Sequence, residues 1–146
     1  MSLKPAKHIM QAAIDVAEKN STPFGAALAM GEELFATAAN QTKQKNDPTA
    51  HAEIEVIRNL SDQLRKKDLS GFILYTTCEP CPMCTSAIIW SGIQTVVYGC
   101  DIPTISSYMK QIEIRAEEMI QKSSANIELH SGFMASECED LLQKYS

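Results

Sequence analysis

Three cysteines, Cys78, Cys81 and Cys84, recur at every third position in the stretch "TCEPCPMC". Thiols at this spacing serve as a redox pair, as ligands of an iron–sulfur cluster, or as ligands of zinc in a closed structural site or an open catalytic one. A ferredoxin-type cluster needs a fourth cysteine at position 88, which is Ile88. The pair Cys81-Pro82-Met83-Cys84 remains open as a redox motif, so residues elsewhere in the chain must decide.

A histidine upstream, His51 in "DPTAHAEIEVIR", lies at a predicted helix start and favours zinc. Cys81 and Cys84 are at positions i and i+3 of another predicted helix, so both sulfurs can reach one ion. His51 would complete a Cys2His set, which leaves the fourth coordination position of a catalytic zinc for water. The dipole of the cysteine-bearing helix stabilises two thiolates at its start. We predict one Zn²⁺ per chain, with Cys78 as the fourth ligand in the alternative, closed structural site.

Glu53 follows His51 by two residues and favours the open site. A carboxylate buried at a helix start is costly unless it has a function, and a structural zinc site does not require it. Positions two apart on a helix diverge by about 200°, so His51 must lie at or before the first turn if both side chains face the ion. We predict that Glu53 is the general base and acid of a hydrolysis.

The hydrophobic pattern predicts the elements that position these residues. Strands alternate with helices, which favours a three-layer α/β/α sandwich around a mixed five-stranded sheet, in a single domain over residues 1–146. A polar loop is predicted over Gln41–Asn46. Strands are predicted at 24–30, 34–40, 71–77, 95–99 and 126–130, and helices at about 7–18, from Pro48-Thr49, from Pro80 to about Ser91, at 112–121 and at 134–144.

The chain is acidic, with 13 Lys and Arg against 18 Asp and Glu and a net charge of −5. Tight binding of a polyanion draws on clustered basic residues, so a small-molecule substrate is favoured over a large nucleic acid. The apolar run Ala87–Trp90 is far too short for a membrane span of about 20 residues. The stretch "MSLKPAKHIM" has no long apolar core and no small-residue cleavage site, so we expect no signal peptide. Five cysteines in such a chain would fit a reducing compartment. We expect a cytoplasmic protein with no membrane partner.

The two halves of the site form a known signature, H-x-E…P-C-x-x-C, which is that of zinc nucleobase deaminases. It reads His51-Ala52-Glu53 and Pro80-Cys81-Pro82-Met83-Cys84. On these residues the chain resembles the cytidine deaminase-like superfamily over about Ala6 to Lys144. The resemblance implies the three-layer fold and a zinc-dependent hydrolytic deaminase that converts a ring amine to a carbonyl and releases ammonia. It also implies a homodimer with pockets near the interface.

The stretches "TPFGAAL", "NDPTAHAE" and "LYTTCEPCPMC…AIIW" are similar to bacterial guanine deaminases. This resemblance implies that Phe24 packs on the base and that Asn40 hydrogen-bonds it. It also implies that the main-chain N–H of Ala52 contacts a base oxygen and that Trp90 borders the pocket. A packing or turn role is the alternative for Phe24, Asn40 and Trp90. The expected substrate is a free nucleobase or small nucleoside, a guanine-like aminopurine first.

The C-terminal third departs from guanine deaminases. Asp101 and Tyr145 are candidate counterparts of that family's residues, but the sequence between them does not align with it. The stretch "SGFMASECEDLL" instead resembles tRNA adenosine deaminases. Those enzymes also share "DPTAHAE" and E-P-C-x-M-C, but their usual P-V-G-A is P-F-G-A here. Deamination of the wobble adenosine of tRNA is therefore the alternative function, disfavoured by the acidic charge and the absence of a basic tail. A non-catalytic structural zinc module is the alternative of another class.

Overall fold

A mixed sheet of five strands in the order β2-β1-β3-β4-β5 forms the middle layer of the computed structural model, which describes residues 3–146. Strand β1 pairs antiparallel with β2 and with β3. The β3–β4 and β4–β5 pairs are parallel, so the predicted mixed sheet is confirmed. The strands are β1 (Gly25–Met30), β2 (Glu33–Ala39), β3 (Ile73–Cys78), β4 (Thr95–Cys100) and β5 (Glu128–His130).

Seven helices cover the two faces of this sheet within the described residues. They are α1 (Lys7–Lys19), α2 (Thr42–Lys45), α3 (Ala52–Leu64), α4 (Pro82–Ser91), α5 (Ile102–Ser106), α6 (Ala116–Gln121) and α7 (Ala135–Tyr145). Successive strand residues point to opposite faces, so β1 sends Ala27 and Ala29 to one core and Ala26 and Leu28 to the other. The first core includes residues of α1, α5 and α7, and the second includes residues of α3 and α4. The predicted three-layer sandwich is confirmed.

Helix α1 buries a stripe of small and branched residues that includes Ile9, Ala13 and Ala17. Glycine at position 25 allows β1 to approach this helix closely. A Cβ placed on Gly25 would lie 2.0 Å from the backbone oxygen of Ala13 and 3.0 Å from the Cβ of Ala17. The missing side chain therefore sets how tightly the first layer packs on the sheet.

The starts of the two site helices differ from the prediction by a few residues. Helix α3 begins at Ala52 and not at Pro48-Thr49, because the Asp47 carboxylate accepts the N–H and O–H of Thr49 and holds a turn there. Helix α4 begins at Pro82 and not at Pro80. Pro82 is therefore the first helical residue, a position whose N–H has no partner within the helix, so the missing N–H of proline removes no hydrogen bond. The predicted polar loop 41–46 contains the short helix α2.

The segment between β4 and α6 was predicted least well. The helix expected over 112–121 is confined to α6, and α5 was not predicted at all. Helix α5 is stabilised at its start by Asp101, whose carboxylate accepts the N–H of Thr104 at 2.9 Å. Among residues 3–146, no helix combines the length and apolar character required to cross a bilayer.

Candidate metal centre and active site

Three side chains converge where helices α3 and α4 begin. His51 is the N-cap residue of α3, Cys81 is the N-cap residue of α4, and Cys84 lies in the first turn of α4. The Nδ1 atom of His51 is 3.6 Å from the Sγ atom of Cys81 and 3.6 Å from that of Cys84. Because His51 precedes the first helical turn, the expectation that both it and Glu53 could face one point is met.

This triangle fits a zinc ion. Zinc bonds of 2.0–2.1 Å to nitrogen and 2.3 Å to sulfur, set at tetrahedral angles, separate the N and S ligands by about 3.5 Å. All three ligand atoms lie within 4.8 Å of one another, and they are the metal-ligating cluster that residues 3–146 present. Cys78 is buried at the end of β3 and is outside this cluster. The site therefore offers three protein ligands.

The three ligands are electrostatically linked. The pKa of Cys81 is lowered to about 4, mainly because its sulfur accepts a hydrogen bond from the Cys84 thiol and also interacts with His51. The pKa of Cys84 is raised because it keeps the shared proton beside the Cys81 thiolate. The hydrogen bond to Cys81 also raises the pKa of His51. Burial, in contrast, raises the pKa of the Cys78 thiol well above its usual range. Negative charge in the site is therefore concentrated at Cys81.

Glu53 lies in the first turn of α3 with only 6% of its surface exposed. Burial, followed by the negative charge of Cys81, raises the pKa of this carboxyl to about 7. The ionised form, which accepts a proton, is favoured when a cation is bound beside it. A carboxyl group whose pKa lies near 7 can both accept and donate a proton near neutral pH.

A cavity of about 300 Å³ opens onto Glu53, His51 and Cys81. Phe24 and Asn40 line it, and their contact with a substrate stays a prediction. Within the described residues, the Oδ1 atom of Asn40 is buried without a hydrogen-bond partner, and its Nδ2 donates to Thr42 Oγ1 at 3.2 Å. A buried unpaired acceptor is costly, so Asn40 Oδ1 is available to a donor on a ligand. The cavity is also lined by Thr42, Cys78, Glu79, Ile105, Met109, Lys110 and Gln111.

Two residues expected at the substrate lie outside the set that lines this cavity. Ala52 is fully buried as the first residue of α3, where a helix leaves the N–H without an internal partner. Trp90 is 87% exposed on the outer side of α4, next to a groove that it shares with Ile89, Ile114 and Met119. The structure thus does not bring Trp90 to the cavity of its own chain.

One wall of the cavity was missed by sequence reasoning. Ile105, Met109, Lys110 and Gln111 come from the segment between β4 and α6, whose pattern gave no sign that it crosses the site. Glu79 also lines the cavity and was overlooked, although its position offered a signal. A carboxylate placed between a buried strand and Cys81 is expected to be buried, and its burial lowers the stability of the fold unless it finds hydrogen-bond or charged partners.

Comparisons with known proteins agree with this geometry. The profile of the family described as "cytidine and deoxycytidylate deaminase zinc-binding region" matches residues 3–100. A tRNA-specific adenosine deaminase of Agrobacterium fabrum is 31% identical over 142 residues, which cover 94% of this chain and 91% of that protein. A guanine deaminase of Bacillus subtilis is 43% identical over 79 residues, which cover 54% of this chain and 51% of that protein.

Solved structures give the same result for the fold. A structure described in studies of A-to-I editing by tRNA:A34 deaminases at the wobble position of transfer RNA superposes with a TM-score of 0.81. It is 31% identical in sequence, and the match covers 93% of this chain and 99% of that one. The similarity to tRNA-specific deaminases therefore spans almost the whole chain, whereas the guanine deaminase matches only about half of it.

Proposed function

Because this chain belongs to the cytidine and deoxycytidylate deaminase zinc-binding family, it is a deaminase, and we propose that its substrate is a free, guanine-like aminopurine base. The chain is a zinc-dependent hydrolytic deaminase acting on a C–N bond. The finer part of the proposal is the choice of substrate, which depends on the shape and lining of the cavity.

The observation that carries the choice is the wall formed by residues 105–111. Ile105, Met109, Lys110 and Gln111 line the same cavity as Phe24 and Asn40, and its volume is about 300 Å³. This volume is at the lower end of the range for ligand sites and suits a single base. The aromatic ring of Phe24 and the apolar Ile105 and Met109 provide surfaces for a flat heterocycle.

Polar groups in the cavity suit the edge of such a base. The unpaired Oδ1 atom of Asn40 can accept a ring or exocyclic N–H, and the N–H of Ala52 at the start of α3 is the proposed donor to a base oxygen. Guanine offers both a donor edge and a carbonyl oxygen. The resemblance of "TPFGAAL" to bacterial guanine deaminases supports the same substrate, whereas "DPTAHAE" is shared with tRNA adenosine deaminases and does not separate the two.

Glu53 moves the protons in the proposed reaction. Its carboxylate accepts a proton from the water that attacks the amine-bearing ring carbon and donates this proton to the adjacent ring nitrogen. A second proton then passes through Glu53 from the added hydroxyl to the amine. The amine leaves as ammonia, and the carbon becomes a carbonyl. Burial raises the pKa of Glu53 to about 7, which supports a role for this carboxyl in both transfers.

His51, Cys81 and Cys84 are proposed to hold the zinc ion. When bound, zinc lowers the pKa of a coordinated water and so supplies hydroxide near neutral pH. The two thiolates lie at the start of α4, where the helix dipole and free N–H groups stabilise their negative charge. Cys84 keeps its proton beside the Cys81 thiolate, so loss of that proton would accompany binding of the cation.

Wobble-adenosine deamination in tRNA is the second candidate, because the similarity to tRNA-specific adenosine deaminases covers nearly the full chain. The net charge of −5 argues against it, since binding folded RNA draws on clustered basic residues. A panel of guanine, adenine, cytosine, their nucleosides and a tRNA anticodon stem-loop, each scored for ammonia release, tests the choice. Release from guanine supports the proposal, and release from the stem-loop alone contradicts it.

We also propose a homodimer that covers the outer side of α4. Trp90 and Ile114 are 87% and 41% exposed and line one groove with Ile89 and Met119, and exposed apolar surface of this kind often marks an interface. Because α4 carries Cys84, this face brings the partner close to the metal centre, and Trp90 would then border the partner's pocket. Five free cysteines support the further proposal that the protein works in a reducing cytoplasm.

A further inference from the structure

We propose that Glu79 is a positioning residue that fixes both ends of the segment 102–116 and thereby sets the wall of the substrate cavity. The statement that this cavity binds substrate rests on the proposed function. We call the contacts of Glu79 with both ends of this segment the clamp. These contacts involve neither the zinc ligands nor Glu53.

The Glu79 carboxylate contacts the two ends of the segment at once. Its Oε1 atom accepts the N–H of Ile102, the first residue of α5, at 2.8 Å. Its Oε2 atom accepts the N–H of Ala116, the first residue of α6, at 2.9 Å. The Arg115 guanidinium Nε–H lies 3.0 Å from both oxygens and balances the charge. One side chain therefore caps two helices that are separated by a loop.

Because Glu79 is buried, its carboxylate depends on these contacts for its hydrogen bonds. Only 3% of its surface is exposed, so protein groups and not water must satisfy the carboxylate. Its backbone N–H donates to the Cys100 oxygen at 2.7 Å, which ties the residue to the end of β4. Glu79 also precedes Cys81 by two positions. The clamp thus joins the segment to the end of β4 and to the chain that leads into α4, where Cys81 and Cys84 lie.

The clamped segment supplies the wall. Ile105, Met109, Lys110 and Gln111 lie between the two caps and line the cavity, and residues 107–115 form neither helix nor strand. Between the caps, the Tyr108 O–H also donates to Glu139 Oε2 of α7 at 2.8 Å. With both ends held by Glu79, the loop has little freedom to move away from Phe24 and Asn40.

Glu79→Gln separates this role from simple space filling, because the side chain keeps its size. The amide replaces one acceptor oxygen with an N–H₂ group, which cannot accept from Ile102 or Ala116, so at least one cap is lost. The charge balance with Arg115 is lost as well. We expect the protein to retain its zinc and its fold, and the segment 102–116 to open more often.

Limited trypsin digestion of the zinc-loaded protein measures that opening directly. The bond after Lys110 lies in the middle of the segment, and its cleavage can be followed by mass spectrometry. We expect Glu79→Gln to increase the initial cleavage rate at this bond about tenfold or more, since buried hydrogen bonds to a charged group are lost. Arg115→Met, which leaves the carboxylate in place, should increase the rate in the same direction by less.

Glu117→Gln is the matched control, because it makes the same change in charge on an exposed residue in the first turn of α6. It should be cleaved like the wild type. With guanine as the probe, Glu79→Gln should raise KM at least about threefold while kcat changes less. This pattern is expected when the bound substrate and the transition state lose the same binding free energy. Glu117→Gln should leave both parameters unchanged.

Cleavage after Lys110 at the wild-type rate in both Glu79→Gln and Arg115→Met would overturn the proposal. So would an equal increase in Glu117→Gln. If Glu79→Gln fails to fold or loses zinc, unchanged cleavage of Arg115→Met alone overturns it, and faster cleavage supports it. The digestion needs no substrate, so a wild type that does not turn over guanine would contradict the proposed function and leave the clamp to be decided by the cleavage rates.

Discussion

At the scale of single residues, the metal centre separates three cysteines that look equivalent in the sequence. Cys81 and Cys84 lie at the start of α4 with both sulfurs 3.6 Å from His51 Nδ1, whereas Cys78 is buried at the end of β3. Cys78 is nevertheless close enough to line the same cavity. Whether the site is an open Cys2His site or a closed Cys3His site therefore depends on whether Cys78 is a fourth ligand of the metal.

Paired substitutions test that distinction. Cys84→Ala should reduce zinc from one ion per chain to a small fraction, because the loss of a coordinating thiolate removes a third of the protein ligands. Cys78→Ala is the matched control and should retain one zinc per chain, with a stability change of about 1–2 kcal/mol from the lost buried sulfur. Elemental analysis after dialysis measures both. Loss of zinc from Cys78→Ala would indicate the closed site.

The cluster that could hold a metal, and Glu53 beside it, could be found from the sequence, whereas the wall of the cavity could not. His51, Glu53, Cys81 and Cys84 are close to one another in two short motifs, and each motif lies at a helix start that is itself visible in the pattern. Ile105, Met109 and Gln111 reach the cavity through the path of a loop, which depends on the distant carboxylate of Glu79. Local patterns carry no information about such a contact.

At the scale of elements, the site depends on how tightly the first helix and the sheet pack. Gly25→Ala should destabilise the protein by about 3 kcal/mol or more, because a Cβ at 2.0 Å from the Ala13 oxygen forces α1 and β1 apart. Gly31→Ala is the control: its Cβ meets no atom within 4 Å, and only the positive φ of 58° adds about 1–2 kcal/mol. Urea unfolding gives both values, and equal losses would contradict this account of β1 packing.

The mixed sheet and the three layers followed from the element types, but the strand order and several helix bounds did not follow from periodicity. Helix α2 has four residues and no buried residue, so it leaves no hydrophobic pattern to detect. The start of α3 was misplaced because Asp47 and Thr49 form a turn just before it. Tertiary contacts shortened the helix expected over 112–121, since the Glu79 carboxylate caps the chain at Ala116.

At the scale of the whole molecule, the exposed apolar face of α4 predicts association. Trp90→Glu should convert a dimer into a monomer, because a charge would be buried against the apolar partner surface. Leu34→Glu on the edge strand β2 is the control, since Leu34 is also exposed, at 43%, but lies on a different element. Sedimentation velocity at one protein concentration gives the masses. A wild-type monomer, or dissociation by the control alone, would contradict this interface.

The central claim is that the zinc-loaded chain hydrolyses the amine of a free aminopurine with Glu53 as the proton carrier. The most direct measurement is ammonia release from guanine by wild type, Glu53→Gln and Asp62→Asn, with zinc content determined for each. Asp62 provides the control because it is exposed near the far end of α3. We predict release by wild type and Asp62→Asn, and a loss of about 10²–10⁴-fold in Glu53→Gln at unchanged zinc content. Equal release by zinc-loaded Glu53→Gln, or none from guanine by the zinc-loaded wild type, would contradict the account.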